Sequence, residues 1–198
     1  MRDPSVQRWP RLPRAASYRA PHGPSIRLGG GGRRCAALTR LRQNRHGVEE
    51  ISQALNGLLA DVFALYLKTR NFHWHVSGPH FRDYHLLLDE QAEQIFATTD
   101  ELAERVRKIG GTTLRSIGHI ASLQRVKDND AEFVPPHEML RELMGDNKAM
   151  VHNLREAREI AEKHEDVGTT SMLETFIDEP ERRTWFLFES VQSTDRQR

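Results

Sequence analysis

A single long helix with two different faces is predicted for the middle of the chain. From about residue 79 to 109 helix-forming residues dominate, no glycine or proline interrupts the run after Pro79, and Gly110-Gly111 predict its C-terminal end. One face is apolar and would be buried in the helix's own bundle. Its members are Tyr84, Leu88, Ile95, Leu102, Val106 and Ile109. The other face carries His85 and several acidic residues, so the helix has two chemically distinct faces.

Five possible metal ligands follow one spacing across this helix and the segment before it. The spacing is H-x11-H-x3-D-x10-D-x3-E, and its members are His73, His85, Asp89, Asp100 and Glu104. A site of carboxylates and imidazoles suits iron or manganese, whereas thiolate sites suit zinc or copper. A helix face rich in acidic residues is also common simply because it is solvated. The spacing alone leaves both interpretations open.

The length of the helix decides how such a site could be built. His85 and Asp100 are 15 residues apart, which places them about 22 Å from each other along one helix. One ion therefore cannot bind both within one chain. If two copies of the helix pack antiparallel about a two-fold axis, His85 of one copy comes opposite Asp100 and Glu104 of the other. The sequence thus suggests two equivalent metal sites, each shared between subunits.

Three segments resemble one known family. HWHVSG, YHLLLDE and TDELAERVRKIGG resemble the Dps family, ferritin-like proteins that protect DNA during starvation, and the resemblance covers about residues 48–192. In that family the two histidines and the first aspartate come from one subunit, and the later aspartate and glutamate come from its dimer mate. All five ligand positions match, and Trp74 matches the family's tryptophan beside the first histidine.

The resemblance implies a function in iron chemistry. It implies a shell of twelve subunits in which intersubunit sites, each taking two iron ions, oxidise Fe²⁺ preferentially with hydrogen peroxide and store the ferric mineral inside. His73 and His85 would hold the first ion, Asp89 would bridge to a second and weaker one, and Trp74 could donate an electron. Asp146 matches the acidic residue of the family's three-fold ion pore, although a solvated acid is an equal alternative. A cytoplasmic, nucleoid-associated protein is expected.

The rest of the chain predicts an all-α, ferritin-like four-helix bundle over residues 47–192, followed by a short tail over 193–198. Apolar periodicity predicts a first helix over about 48–71 and a third over about 137–164. A short helix over about 116–125 is expected in the long crossover between the two helix pairs. The fourth helix is expected to start at Thr169 or Thr170, either of them a good N-cap. Pro180 lies inside it and predicts a kink near Asp178 and an altered subunit contact.

Residues 1–46 differ sharply in charge from the rest. They hold 11 Arg, no Lys and one acidic residue, which gives +10, whereas the remainder holds 18 basic and 27 acidic residues, which gives −9. Because the segment is rich in Pro, Gly and Arg without an apolar period, a disordered tail is predicted. Its candidate DNA-binding residues are Arg8, Arg11, Arg14, Arg19, Arg27, Arg33, Arg34, Arg40, Arg42 and Arg45. A non-specific DNA-binding arm, a translated upstream region absent from the mature protein, and a targeting peptide all remain open.

Other features limit the alternatives. The lone Cys35 excludes a disulfide within the chain, and no apolar run has transmembrane length or the pattern of a signal peptide. A bacterioferritin-type iron store would hold two irons within one subunit through Glu-x-x-His motifs, and residues 47–198 contain none. A non-enzymatic shell that compacts DNA around a vestigial metal site is the second alternative.

Overall fold

The structure, a computed structural model, describes residues 31–192, with side chains from residue 45 onward. This part of the chain contains five helices and no strand. The helices are α1 (Gly31–His75), α2 (Phe81–Lys108), α3 (Ile117–Leu123), α4 (Pro136–Lys163) and α5 (Val167–Ser190). Four long helices, with a short one in the crossover, confirm the predicted all-α four-helix bundle. None of the described helices combines the length and the apolar character needed to cross a membrane.

The four long helices pack as two hairpins. Short turns join α1 to α2 and α4 to α5, while α1 also packs on α4, and α2 on α5. The long connection between the hairpins carries α3, which packs on α1. The core is formed by the apolar stripes predicted from the sequence. Its fully buried large side chains are Leu55, Leu58, Leu59, Leu65, Phe72, Leu88, Ile95, Leu102, Leu140, Leu143, Leu173 and Leu187.

The first helix begins earlier than predicted. It starts at Gly31 rather than near Val48. The domain boundary expected between residues 46 and 47 stays a prediction. The apolar period does begin near Val48, but the preceding stretch RRCAALTRLRQ consists mostly of good helix formers. Helix propensity without an amphipathic stripe explains the difference. Residues 1–30 and 193–198 lie outside the described residues. The structural predictions for them stay predictions.

A buried carboxylate ties the crossover to α1. Asp61 is fully buried and accepts hydrogen bonds from the backbone N–H and Nε of Arg125 at 2.6 and 2.8 Å. Asn153 of α4 donates to the same carboxylate at 3.2 Å. Since a buried charge is stable only when it is paired and hydrogen-bonded, this cluster fixes where the crossover lies across the bundle.

The predicted glycine stop of α2 is confirmed. Gly110 adopts a φ of 94°, and its N–H binds the carbonyl of Arg107 at 3.0 Å. The N–H of Gly111 binds the carbonyl of Val106 at 2.9 Å, which completes a Schellman motif. Gly111 also lies against α1, where an added Cβ would come within 2.1 Å of Ser52 Oγ. The end of α2 therefore requires two glycines for different reasons, one for conformation and one for space.

A matched pair of glycine substitutions tests this packing. We expect Gly111→Ala to lower the free energy of unfolding by about 1–3 kcal/mol, because the methyl group overpacks the contact with α1. Gly145→Ala is the control, since Gly145 is exposed in the middle of α4 and a Cβ there meets nothing within 4 Å. We expect this second change to raise stability by about 0.5–1 kcal/mol. Denaturant unfolding measures both, and equal stability of the two variants would contradict the packing argument.

The N-cap of α5 differs from the prediction. Asp166 is the cap, accepting a hydrogen bond from the N–H of Thr169 at 3.1 Å, and Thr169 lies inside the first turn. Arg105 of α2 binds Asp166 and donates from Nε to Thr169 Oγ1 at 2.8 Å. Burial works against the charge of Asp166, but the bonds from Thr169 and Arg105 keep its pKa below the usual value. The cap therefore also joins the end of α2 to the start of α5.

Pro180 lies within α5 and does not end it. The helix is continuous from Val167 to Ser190, and Pro180 is buried. The hydroxyl of Thr184 donates to the carbonyl of Pro180 at 2.7 Å. The kink expected near Asp178 and the altered subunit contact remain predictions.

Candidate metal centre

Two of the predicted ligands meet where α1 ends and α2 begins. The rings of His73 and His85 stack with centroids 3.8 Å apart and planes at 22°. His73 is only 8 % exposed. Each ring binds the other residue's backbone, with Nδ1 of His73 2.9 Å from the carbonyl of His85 and Nδ1 of His85 2.9 Å from the carbonyl of His73. The helix hairpin thus places both imidazoles together and orients them.

These hydrogen bonds determine which nitrogen is left for a metal ion. A carbonyl oxygen can only accept a hydrogen bond, so each Nδ1 must carry a proton. In the neutral imidazole the other nitrogen, Nε2, then keeps its lone pair. Fixing a ligand tautomer through a carbonyl in this way is typical of metal-binding histidines. The pair His73 and His85 therefore has the tautomer that leaves both Nε2 atoms available to bind a metal ion.

Asp89 lies one helical turn further along α2 and is bound to an arginine. Its carboxylate forms an ion pair with the guanidinium of Arg70 on α1. The guanidinium also lies 5.7 Å from the ring centroid of Tyr66. Burial works against the charge of Arg70, but the hydrogen bonds to Asp89 and Tyr66 outweigh it and hold its pKa above the usual value. Arg70 is not among the residues predicted for the site, although its position three residues before His73 puts it on the same face of α1.

Asp100 and Glu104 do not join the histidines within one chain. Both are exposed on the distal half of α2, and Glu104 pairs with Lys108 at 2.9 Å. The continuous helix keeps Asp100 about 22 Å and Glu104 about 28 Å from His85. In residues 45–192 no group of three or more His, Cys, Asp or Glu side chains is arranged to hold a metal ion. One chain thus carries two separate groups of candidate ligands on α2.

The surface around the imidazole pair is unusually apolar. Trp74, next to His73, is 60 % exposed, and the ring of Phe81 lies 5.0 Å from that of His85. Other large apolar side chains of α1 and α2 are also exposed. The exposed members are Leu67, Trp74, Phe81, Leu86 and Phe96. We call these five residues the apolar face. Five large apolar side chains exposed on two neighbouring helices are a candidate interaction surface.

Asp146, the candidate pore residue, has a partner within the chain. Its carboxylate accepts a hydrogen bond from Lys68 Nζ at 2.8 Å, and Glu142 binds the same ammonium at 2.9 Å. Burial raises the pKa of Asp146, although the bond to Lys68 and its charge work in the opposite direction. The side chain is mostly buried, at 18 % exposure. A pore role stays a prediction.

Most of the candidate DNA-binding arginines lie outside the residues whose side chains the structure describes. Arg8, Arg11, Arg14, Arg19 and Arg27 lie outside the described residues. Four others lie on the helical backbone of α1, where side chains are not described; they are Arg33, Arg34, Arg40 and Arg42. Arg45 lines an open surface cavity of about 590 Å³ beside the end of α2.

Comparison with known proteins gives consistent matches over the bundle. The model of a ferritin-like domain in the ferritin family matches residues 52–196. A DNA protection during starvation protein of Halobacterium salinarum is 35 % identical over 133 residues, covering 67 % of this chain and 73 % of that protein. One from Brevibacillus brevis is 32 % identical over 138 residues, covering 69 % and 91 %. The crystal structure of Dps from Thermosynechococcus elongatus superposes with a TM-score of 0.74 at 26 % identity, covering 78 % of this chain and 98 % of that one.

Proposed function

Because this chain belongs to the Dps family of ferritin-like proteins, we propose that it is an iron-oxidising, iron-storing shell protein that protects DNA from iron and peroxide. The observation that carries the proposal is the oriented pair of His73 and His85, with both Nε2 atoms left for a metal ion. Each complete site would take His73, His85 and Asp89 from one subunit and Asp100 and Glu104 from its partner. Twelve copies would form the shell.

The geometry of α2 supports a two-fold pairing. If two α2 helices pack antiparallel with His85 opposite the region of Asp100 and Glu104, the axis crosses each helix near residues 93 and 94. Leu86 and Phe96, both in the apolar face, lie on either side of that point. Pairing would therefore bury apolar surface and complete two metal sites at once. An isologous contact gives each subunit the same role.

The ligands suit Fe²⁺ as substrate and Fe³⁺ as product. The two imidazoles are neutral donors that bind Fe²⁺, while three carboxylates neutralise charge and stabilise the ferric state more than the ferrous one. In the proposed reaction two Fe²⁺ ions each lose one electron. Hydrogen peroxide takes both electrons and two protons and becomes two water molecules. The Fe³⁺ formed would then be stored as hydrolysed mineral inside the shell.

Two further residues would have supporting roles. Asp89 would bridge to the second, more weakly held iron. Trp74 adjoins His73 in the sequence and is exposed beside the half-site, where it could donate an electron and so prevent release of hydroxyl radical. Ferrous ions could enter through a three-fold pore near Asp146, and the basic N-terminal segment could hold the shell on DNA.

Oxidation kinetics test the proposal. Purified protein should oxidise Fe²⁺ faster with hydrogen peroxide than with oxygen, followed by ferric absorbance, and release little hydroxyl radical in a spin-trapping assay. His85→Ala should slow the reaction by at least about tenfold, since loss of even a supporting partner of a metal ligand costs 10–100-fold.

His75→Ala is the matched control for that variant. His75 lies two residues from His73 but is exposed, and its Nδ1 binds only the carbonyl of Asn71, at 2.8 Å. Its removal should leave the rate unchanged. If wild-type protein gave the rate of a protein-free buffer with both oxidants, the enzymatic function would be wrong. The non-enzymatic DNA-compacting shell would then be the better interpretation.

A further inference from the structure

We propose that Arg70 controls occupancy of the second iron position, because its guanidinium neutralises Asp89 and has to be displaced before a second Fe²⁺ can bind there. This inference rests on the proposed function and adds a positioning residue to it. Arg70 belongs to none of the ligand positions described above. Its pair with Asp89 is less exposed than the surface pair of Glu104 with Lys108.

The ion pair of Arg70 with Asp89 joins α1 and α2 in the same register as the imidazole pair of His73 with His85. Arg70 precedes His73 by three residues on α1, and Asp89 follows His85 by four residues on α2. Because the two helices are antiparallel, both pairs bridge the same hairpin, one helical turn apart, at a spacing of about 5 Å. Arg70 therefore lies where an ion bridged by Asp89 would have to lie, next to the ion held by His73 and His85.

The guanidinium is held in place on more than one side. Arg70 has only 19 % of its side chain exposed, compared with 41 % for Asp89. Its guanidinium lies over the ring of Tyr66, and Tyr66 packs against Phe96 of α2 with ring centroids 5.0 Å apart. Since Phe96 belongs to the apolar face, subunit pairing would cover this support and restrict the space into which Arg70 can move.

The charges then distinguish the first ion from the second. A shared site with Asp89 and the partner's two carboxylates carries −3, and Arg70 reduces this to −2, which one Fe²⁺ balances. Lys108 pairs with Glu104 on the exposed surface, where water screens its charge. A second Fe²⁺ beside the guanidinium would meet like charge at close range. Arginine does not lose its proton at physiological pH, so the conflict is resolved only by moving the side chain. The first ion should therefore bind tightly and the second weakly.

Ion-binding stoichiometry tests this without reference to turnover. Anaerobic Fe²⁺, and separately Co²⁺ as an ion that does not turn over, would be titrated into the assembled protein by calorimetry. Wild-type protein should bind one ion per shared site tightly and a second at least about tenfold more weakly. Arg70→Gln and Arg70→Met both remove the charge. Each should tighten binding of the second ion, called here the second class, about tenfold, equal to about 1.4 kcal/mol. Either variant suffices if the other does not assemble.

Three further variants separate charge from other effects. Arg70→Lys keeps the cation and should keep the second class weak. Asp89→Asn should abolish the second class whether or not Arg70 is present. Arg155→Gln removes an equivalent cation from the exposed pair with Glu181 on the other hairpin, and it should change nothing.

Each outcome bears on a different claim. If wild-type shells bound no ion, the proposed function would fail. If they bound ions normally but neutral residues at position 70 left the second class unchanged, Arg70 would have no such role while the proposed function stood. The same tightening in Arg70→Lys would show that the guanidinium's charge is not the cause and would overturn the inference.

Discussion

Co-refolding two inactive variants should restore about a quarter of the wild-type metal sites if, as proposed, each complete site draws on two subunits of a two-fold dimer. One variant is His85→Ala, and the other combines Asp100→Ala with Glu104→Ala. Alone, each builds dimers in which both sites lack essential ligands. In a mixed dimer, one site takes its histidines from the second variant and its carboxylates from the first, and it is complete. Random pairing makes half of the dimers mixed, and one of the two sites in each mixed dimer is complete. About a quarter of all sites are therefore complete.

The measurement is peroxide-dependent oxidation of Fe²⁺ by refolded shells whose mass has been checked. A mixture of His73→Ala with His85→Ala provides the control, because both changes damage the same half-site and mixed dimers contain no complete site. That mixture should recover nothing. Absence of recovery in the first mixture, from correctly assembled mixed shells, would mean that the ligands are not shared in this way. Recovery in both mixtures would also contradict the arrangement.

Removal of the N-terminal segment should abolish DNA binding and leave iron oxidation intact. Deleting residues 1–44 removes ten Arg and one acidic residue and leaves a chain with 19 basic and 27 acidic residues, which DNA phosphates repel. If the full-length segment makes about six to ten phosphate contacts, its affinity should fall about 10³–10⁵-fold between 50 and 200 mM salt. All five candidate ligands lie beyond the deletion. Gel-shift titration and oxidation kinetics measure the two effects.

The deletion should stop at residue 44 for a structural reason. His46 Nε2 binds Glu50 at 2.9 Å, and Glu50 also binds His164 at 2.6 Å, so this part of α1 is tied to the turn before α5. A second truncation, of residues 1–30, leaves α1 whole and separates the contribution of its helical start. If deletion of residues 1–44 left DNA binding unchanged at the same pH and salt, the hypothesis of a DNA-binding arm would be wrong. The mass of the native protein distinguishes that hypothesis from a segment that is absent from the mature protein.

The helices and their buried faces were largely predictable because local signals set them. The apolar stripe and the glycine pair of α2 are periodic or terminal features that sequence spacing reports directly. The pairing of His73 with His85 was implied by the resemblance to the Dps family, and the structure places the two rings together at adjacent helix ends. These features depend on residues near one another in the chain.

The failures concern contacts that depend on packing between helices. Asp166 rather than Thr169 caps α5, since the cap also has to accept Arg105 from α2. The pairing of Arg70 with Asp89 depends on the register of α1 against α2, which neither helix encodes alone. The start of α1 was missed for a different reason, because a helix can form from propensity without an apolar stripe.

The hydrogen bonds at the imidazole pair have a consequence for redesign. Each ring is oriented by the other residue's main-chain carbonyl, not by its side chain. Replacing one histidine therefore leaves the acceptor of the other in place, and the remaining ring keeps its direction and tautomer. A cysteine or a carboxylate at position 85 would meet a His73 that is already aligned. Ligand softness decides which ions a site prefers, so the proposed half-site should be convertible toward another metal one side chain at a time.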